Sequence, residues 1–255
     1  SFGVGRVSSL FVYPMSFDEF LTAMGQEGLL RTKRNSSPTN PLPEAFYNRL
    51  VEAFRSYMLV GGMPEAVATY TETGSYRYSS DIVNEIIQGY QDDFAKYGAK
   101  ANPLLLRQTL ISVAHQAGAK FVYSRVEGQY RSAEVKVALE MLKDAGLIIP
   151  TYHTDANGVP LGAEINERVV KYLIHDTGVL LGILGIDDDI DDSIKEMMVA
   201  DSIDLVDKGH VAEMMAGLEL IKYSSPQKRH QLYYWQNMNK GTCAEVDYVI
   251  ARSGS

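Results

Sequence analysis

The spacing of apolar residues switches along this chain, and the switch restricts it to folds that join a helical part to a small sheet. Phe46, Leu50, Phe54 and Tyr57 or Met58 recur every three to four residues, and so do Ile82, Ile86, Tyr90 and Phe94; this period places side chains on one face of a helix. Residues 16–98 therefore read as wholly helical. After Asn102-Pro103, which opens a helix running to Gly118, the pattern changes. "KFVYS" has the content of a short strand. A helix with Ala138, Met141, Leu142 and Ala145 on its apolar face follows and closes at Gly146, and "LIIPTYHTDANGVPLGAEI" reads as two strands about a turn at Asp155-Ala156-Asn157-Gly158. Helix, short strand, helix, hairpin is the order of a winged helix. Next, "KYLIHDTGVLLGIL" reads as a strand turning through Asp176 into a helix. Gly209 to Tyr223 reads as a helix with Val211, Met214, Met215, Leu218 and Ile221 on one face, and residues 231–235 and 244–250 read as strands. The expected class is α+β, mostly helical, in three parts: a helical part over 1–98, a winged helix over 99–168 and an α/β unit over 169–255.

Local signals punctuate these elements. Ser16 and Glu19 have the spacing of a capping box, with Met15 and Phe20 placed to staple it. Residues 31–43, "RTKRNSSPTNPLP", carry three of the nine prolines among polar residues and read as a loop. Gly61-Gly62 followed by Pro64 reads as a tight helix-to-helix corner, because glycine supplies backbone freedom and proline suits a first helical turn. Asp81 is expected to cap the helix that carries Ile82, Ile86, Tyr90 and Phe94.

Composition narrows the chemistry. The 255 residues are 45% hydrophobic and 22% charged, enough to bury a core. No apolar run approaches the roughly 20 residues of a membrane span, and the start lacks a signal-peptide pattern, so a cytoplasmic protein without membrane contact is expected. Cys243 is the only cysteine, which excludes an internal disulfide and a four-cysteine zinc site. His115, His153, His175, His210 and His230 show no i, i+4 pair, so no metal site is expected from them. The acidic run Asp187, Asp188, Asp189, Asp191, Asp192 lacks the loop glycine and the twelfth-position Glu of a calcium loop, and reads as a solvated loop. Net charge is −8, which disfavours a large non-specific grip on phosphate backbone.

The stretches "VGRVSSLFVYPMSFDEFL" and "YMLVGGMPEAV", followed in order by "YQDDFAKY", "KFVYS", "ALEMLKDAGLI", "KYLIHDTGVL", "YYW" and "AEVDYVI", resemble bacterial and archaeal AAA-type ATPases from just after the nucleotide-binding core through their C-terminal domain of unknown function 4143. The resemblance covers almost the whole chain. It implies that residues 1–98 hold the end of an ATPase core and a helical subdomain, that ATP and magnesium belong to the parent protein, and that the missing ATPase core is a partner. Arg6 matches an arginine that the family places near the end of that core, where it would stabilise phosphoryl charge; a surface arginine on a core strand is the alternative. No Gly-Lys pair is present, so the phosphate-binding loop is absent and this chain is expected to bind no cofactor and to hydrolyse no ATP.

Two further constellations remain. Arg131, Lys136 and Lys143 lie on or beside the presumed recognition helix and are candidates for weak DNA contact, although Glu134, Glu140 and Asp144 offset them. "YYW" can stack bases, but an aromatic strand is the commoner reading. The last part is similar to the start of a restriction-endonuclease-like fold, in which a helix Glu, a strand Asp and a downstream Glu-x-Lys bind magnesium. Glu213, Glu245 and Asp247 are its candidates, with the Glu-x-Lys expected beyond Ser255, so the unit reads as truncated and no catalytic residue is assigned. The leading expectation is a non-catalytic coupling or recognition module of an AAA-type ATPase. A magnesium-dependent nuclease completed beyond Ser255 and a winged-helix DNA binder are the alternatives, and a homo-oligomer is among the expected partners.

Overall fold

The computed structural model describes residues 8–96, 102–185, 192, 208–237 and 244–251. Seven helices come first: α1 (Phe17–Ala23), α2 (Glu27–Arg34), α3 (Glu44–Val60), α4 (Pro64–Thr73), α5 (Tyr76–Lys96), α6 (Pro103–His115) and α7 (Ser132–Asp144). Strands β1 (Ile148–Thr154) and β2 (Ile165–Ile174) follow, then α8 (Thr177–Ile183), α9 (Lys208–Lys222), β3 (Leu232–Gln236) and β4 (Glu245–Val246). The protein is α+β and mostly helical, with one mixed four-stranded sheet in the order β2-β1-β3-β4.

Local signals account for most helix boundaries. Ser16 and Glu19 form the capping box of α1, the Ser16 N–H reaching the Glu19 carboxylate at 2.7 Å. Asn102 caps α6, accepting from the Leu104 N–H at 3.0 Å, and Pro103 fills the first turn. Gly61 closes α3 at φ +78°, and Gly146 follows α7 at φ +79°, backbone conformations that L side chains rarely adopt. Two expectations fail here. Helix α5 starts at Tyr76, so Asp81 lies inside it instead of capping it. Residues 31–34 belong to α2, and the polar loop is confined to 35–43, because Leu29 and Leu30 bury against α1 and α3 and carry the helix to Arg34.

The sheet corrects a larger expectation. β1 and β2 pair antiparallel as a hairpin, but β1 also pairs in parallel with β3, Thr151 opposite Leu232 and His153 opposite Tyr234. The hairpin therefore shares one sheet with residues 232–236 and 245–246 and is not a wing set apart, and the expected boundary after 168 falls inside β2. The physical reason is that β1 carries buried side chains on both faces; such a strand needs a neighbour on each edge to satisfy its backbone. "KFVYS" is not a full strand. It makes a single bridge, Lys120 opposite Lys171, and turns into a 3-10 helix at Tyr123–Arg125.

One buried polar hub ties these layers together. The Asp176 carboxylate accepts from the Gly62 N–H at 2.6 Å and from the Val179 N–H at 3.1 Å, capping α8 and holding the α3–α4 corner. The Gly62 carbonyl accepts from the Met15 N–H at 2.7 Å. Tyr57 donates to the Met15 carbonyl or Glu219, 2.5 and 2.9 Å away, and the Phe17 N–H reaches Glu219 at 3.1 Å. Lys222 completes the hub, donating to Tyr57 at 2.6 Å and to the Met15 carbonyl at 3.1 Å. A Cβ on Gly61 would stand 2.2 Å from Asp176 Oδ1, and one on Gly62 would stand 2.3 Å from the Met15 carbonyl oxygen. "PMSF", "VGGM" and "HDTG" thus meet at one point.

Candidate functional site

On the far side of α9 a second polar cluster faces the sheet. Helix α9 buries Val211, Met214, Met215, Leu218 and Ile221 and crosses β2 at Gly217, where a Cβ would sit 2.9 Å from Leu173 Cδ1 and 2.4 Å from the Tyr248 hydroxyl. This close approach brings Glu213 down to β2. Tyr248 donates to the Glu213 carbonyl at 2.9 Å, and the Val249 N–H donates to the Tyr233 carbonyl at 2.8 Å, so the chain after β4 is held against both α9 and β3. One carboxylate oxygen from each of Glu213, Glu245 and Asp247 then lies within 4.8 Å of the others. The three sequence candidates converge.

The residue that the sequence reading did not find is Lys171, buried in β2. Its ammonium bonds Glu213 at 2.8 Å and also pairs with Glu245. Burial by itself would lower this lysine, but the two carboxylates outweigh it and hold the ammonium above the usual lysine range. For Glu213, burial dominates and raises the carboxyl against the pull of Lys171, with Asp247 and Glu245 adding repulsion. The ammonium lies 5.1 Å from the centre of the Tyr234 ring, a cation–π distance. Tyr234 is pushed up to about 12 by burial and then by Glu245 and Glu213. One signal was available: a lysine inside the apolar run "RVVKYLI" is seldom buried without a partner.

The same sheet face carries unsatisfied groups. Thr151, opposite Lys171, His153 and Tyr234 are all buried, and Thr151 Oγ1, His153 Nδ1 and the Tyr234 hydroxyl have no hydrogen-bond partner among the described residues. His153 and Tyr234 meet edge to face at 5.5 Å. Three carboxylates within 4.8 Å suit a single divalent cation, whose oxygen ligands lie at about 2.0–2.6 Å. Two of the three are already paired with Lys171, however, so the cluster is partly neutralised from within.

The other candidates stay apart. Arg131 and Lys136 are exposed, and Lys143 pairs with Glu140 on its own helix. The Arg131 N–H donates to Glu134 at 2.8 Å as part of the α7 start. Among the described residues no two of these cations share a hydrogen-bond or ion-pair partner. Arg6 lies outside the described residues, as do Asp187, Asp188, Asp189, Asp191 and Cys243. Asp192 is described, and its carboxylate accepts from the Ser75 hydroxyl and the Arg77 N–H, both at 2.7 Å, at the start of α5. No helix of the described residues is long and apolar enough to cross a membrane.

Residues 51–190 match the family model described as Domain of unknown function (DUF8612). The matched segment contains the glycine corner, the hairpin and Asp176, and it stops before α9. No curated protein and no solved structure matches the chain.

Proposed function

The chain belongs to the DUF8612 family, and from that premise we propose that it is a non-catalytic coupling or recognition module, as its resemblance to the C-terminal part of AAA-type ATPases implies. One observation carries this reading. Three stretches on which the resemblance rests, "PMSFDEFL", "YMLVGGMPEAV" and "KYLIHDTGVL", form a single hydrogen-bonded hub that joins the segment before α1 to the helices and to the end of β2. Met15 is hydrogen-bonded to Tyr57 on α3, to Gly62 at the α3–α4 corner and to Lys222 on α9, and Gly62 to Asp176 ahead of α8, a contiguous network of the kind through which a coupling element would act. The carboxylate cluster supports the non-catalytic part, because Lys171 already pairs with Glu213 and Glu245. The test is calorimetry with magnesium-ATP. No heat of binding at micromolar nucleotide is expected, and a micromolar dissociation constant would overturn the reading.

A second reading, divalent-cation-dependent phosphodiester cleavage, is favoured by the convergence of Glu213, Glu245 and Asp247. A bound cation there would polarise a phosphate oxygen and lower the pKa of a water. Lys171 would supply an ammonium beside it, and Tyr234 a buried hydroxyl. Plasmid nicking in magnesium or manganese that is abolished by Asp247→Ala would establish this second reading and displace the first.

A further inference from the structure

Lys171 stands between two unlike sets of polar groups, and its ammonium is hydrogen-bonded to one of them. On that side it bonds Glu213 at 2.8 Å and pairs with Glu245. On the other side lie the unsatisfied groups of the sheet face. Thr151 is directly opposite Lys171 in the β1–β2 pairing, so the two side chains share a face with Cβ atoms about 4.5–5.5 Å apart. The centre of the Tyr234 ring is 5.1 Å from the ammonium, and His153 packs edge to face on that ring. Thr151 is 1% exposed, His153 3% and Tyr234 0%, yet Thr151 Oγ1, His153 Nδ1 and the Tyr234 hydroxyl have no hydrogen-bond partner among the described residues. Buried polar groups left unpaired are costly, so each calls for a partner.

Charge leaves the carboxylate side incomplete. Glu213, Glu245 and Asp247 each bring one oxygen within 4.8 Å of the others, and among the described residues Lys171 is the cation paired with them. Three carboxylates against one ammonium leave two negative charges, the charge of one divalent cation. We infer that Lys171 is a movable counter-ion with two seats: the carboxylates in the cation-free chain, and the Thr151 and Tyr234 hydroxyls when a divalent cation of the magnesium–manganese class takes the carboxylates. The inference rests on the cation binding of the second reading above and not on cleavage.

The chemistry of the groups supports the exchange. Carboxylate oxygens suit a hard cation, which they hold at about 2.0–2.6 Å, closer than an ammonium allows. Glu245 and Asp247 are exposed, so a cation reaches them from solvent while the other seat stays internal. A lysine ammonium carries three donors on a four-carbon stem of rotatable bonds. The two hydroxyls keep lone pairs that accept from it, and the Tyr234 ring face already stabilises its charge. His153 adds a further acceptor. Its Nε2 is 3.2 Å from the Gln236 carbonyl; a carbonyl only accepts, so Nε2 carries a proton and Nδ1 of the neutral ring presents a lone pair. The unsatisfied groups are thus the place that receives Lys171.

The probe is manganese titrated into the full chain, with the free ion followed by electron paramagnetic resonance. One ion per chain is expected, half-saturating at about 1 mM or below, and lost in Asp247→Asn. Lys171→Met is expected to bind at least about tenfold more tightly, because the competing ammonium is gone; if that variant does not fold, Lys171→Gln takes its place. Thr151→Val and Tyr234→Phe change no carboxylate. Each is expected to weaken binding at least about threefold in the parent chain and to have no effect in the Lys171 variant, a coupling that a merely structural role would not produce. In the unmodified chain with isotope-labelled lysine, saturating magnesium shifts the Lys171 ammonium resonance. Equal affinity of the parent chain and the Lys171 variant, hydroxyl effects that persist without Lys171, binding that survives Asp247→Asn, or no binding to the parent chain would overturn the inference. Plasmid nicking is a separate readout. Competition without nicking keeps the inference and removes the second reading, and nicking at a manganese affinity indifferent to Lys171 does the reverse.

Discussion

Two lysines expose nearly the same small share of their side chains to solvent in this protein, Lys171 at 6% and Lys222 at 4%, and their ammonium groups shift in opposite directions. Lys171 is held above the usual range by Glu213 and Glu245, both in direct contact. Lys222 is pushed below it by burial, which Asp176 and Glu219 only partly oppose. Its short bonds go to neutral oxygens, the Met15 carbonyl and the Tyr57 hydroxyl, and its nearest carboxylate, Glu219, is at 3.6 Å. At similar solvent exposure the direction of the shift follows how deeply the surrounding protein encloses the ammonium together with the count and distance of the opposing charges: Lys222 is the more deeply enclosed and has no carboxylate as close as the two that contact Lys171. The Lys222 hub is closed and saturated with hydrogen bonds, which suits a rigid joint. The Lys171 cluster has exposed acids on one side and unsatisfied buried groups on the other, which suits a place that can respond to a ligand.

The comparison breaks most visibly if the hub is not closed. Gly62→Ala drives a methyl group to 2.3 Å from the Met15 carbonyl oxygen, and a backbone oxygen cannot move aside as a side-chain tip can, so a loss of about 3 kcal/mol is expected. Urea unfolding measures it, and a loss well under 1 kcal/mol would mean that the hub yields.

The two lysines are compared directly by methionine replacement. Lys171→Met removes a charge that its surroundings favour and leaves Glu213 half-buried without a cation, an expected cost of about 2 kcal/mol after allowing for the exposure of Glu245. Lys222→Met removes a charge that its surroundings disfavour and is expected to cost less than about 1 kcal/mol, in spite of its more numerous hydrogen bonds. The reverse order in paired denaturation curves would refute the comparison. Lys171→Met also frees two carboxylates, so manganese is expected to raise the melting temperature of this variant more than that of the parent chain.

A smaller effect links the hub to pH. His175 is buried with Nδ1 3.1 Å from the Leu147 carbonyl and Nε2 3.1 Å from the Tyr90 hydroxyl. Burial lowers its pKa against the opposing pull of Asp176 and of the Leu147 carbonyl, and the Lys222 charge adds a smaller lowering. The unfolded chain binds a proton near pH 6.5 while the folded chain resists, so the unfolded state holds more protons below that pH. Stability is then full above about pH 6.5 and falls as the solution is acidified. His175→Gln is expected to flatten this slope, and Lys222→Met to move the His175 titration upward in a proton NMR experiment. The smallest effect falls on the exposed face of α7, where Lys136→Ala is expected to change stability by no more than about 0.5 kcal/mol.

Legibility in the sequence followed distance along the chain. The capping box at Ser16, the Asn102-Pro103 start, the glycine corner and the turn through Asp176 all act between residues a few positions apart, and each is present. Asp81 was misread because α5 starts one turn and a half earlier, where Ser75 and Arg77 are bound by Asp192, far along the chain. Glu213, Glu245 and Asp247 were singled out as residue types on separate elements. That they converge, and that Lys171 lies between two of them, was not readable.

By itself, the amino-acid sequence determined the helical part, the hairpin and the mixed α+β class, because periodicity, caps and turn residues exert their forces over one or two turns of chain. Tertiary structure alone decided which polar groups face each other. Gly62 meets Asp176 across 114 residues, Tyr57 meets Glu219 across 162, and Lys171 meets Glu213 across 42. The packing of α9 on β2 brings Glu213 to Lys171, and the pairing of β3 with both β1 and β4 brings Glu245 to the same ammonium. No local rule encodes such a pairing, because its hydrogen bonds are chosen by what else each strand edge can reach.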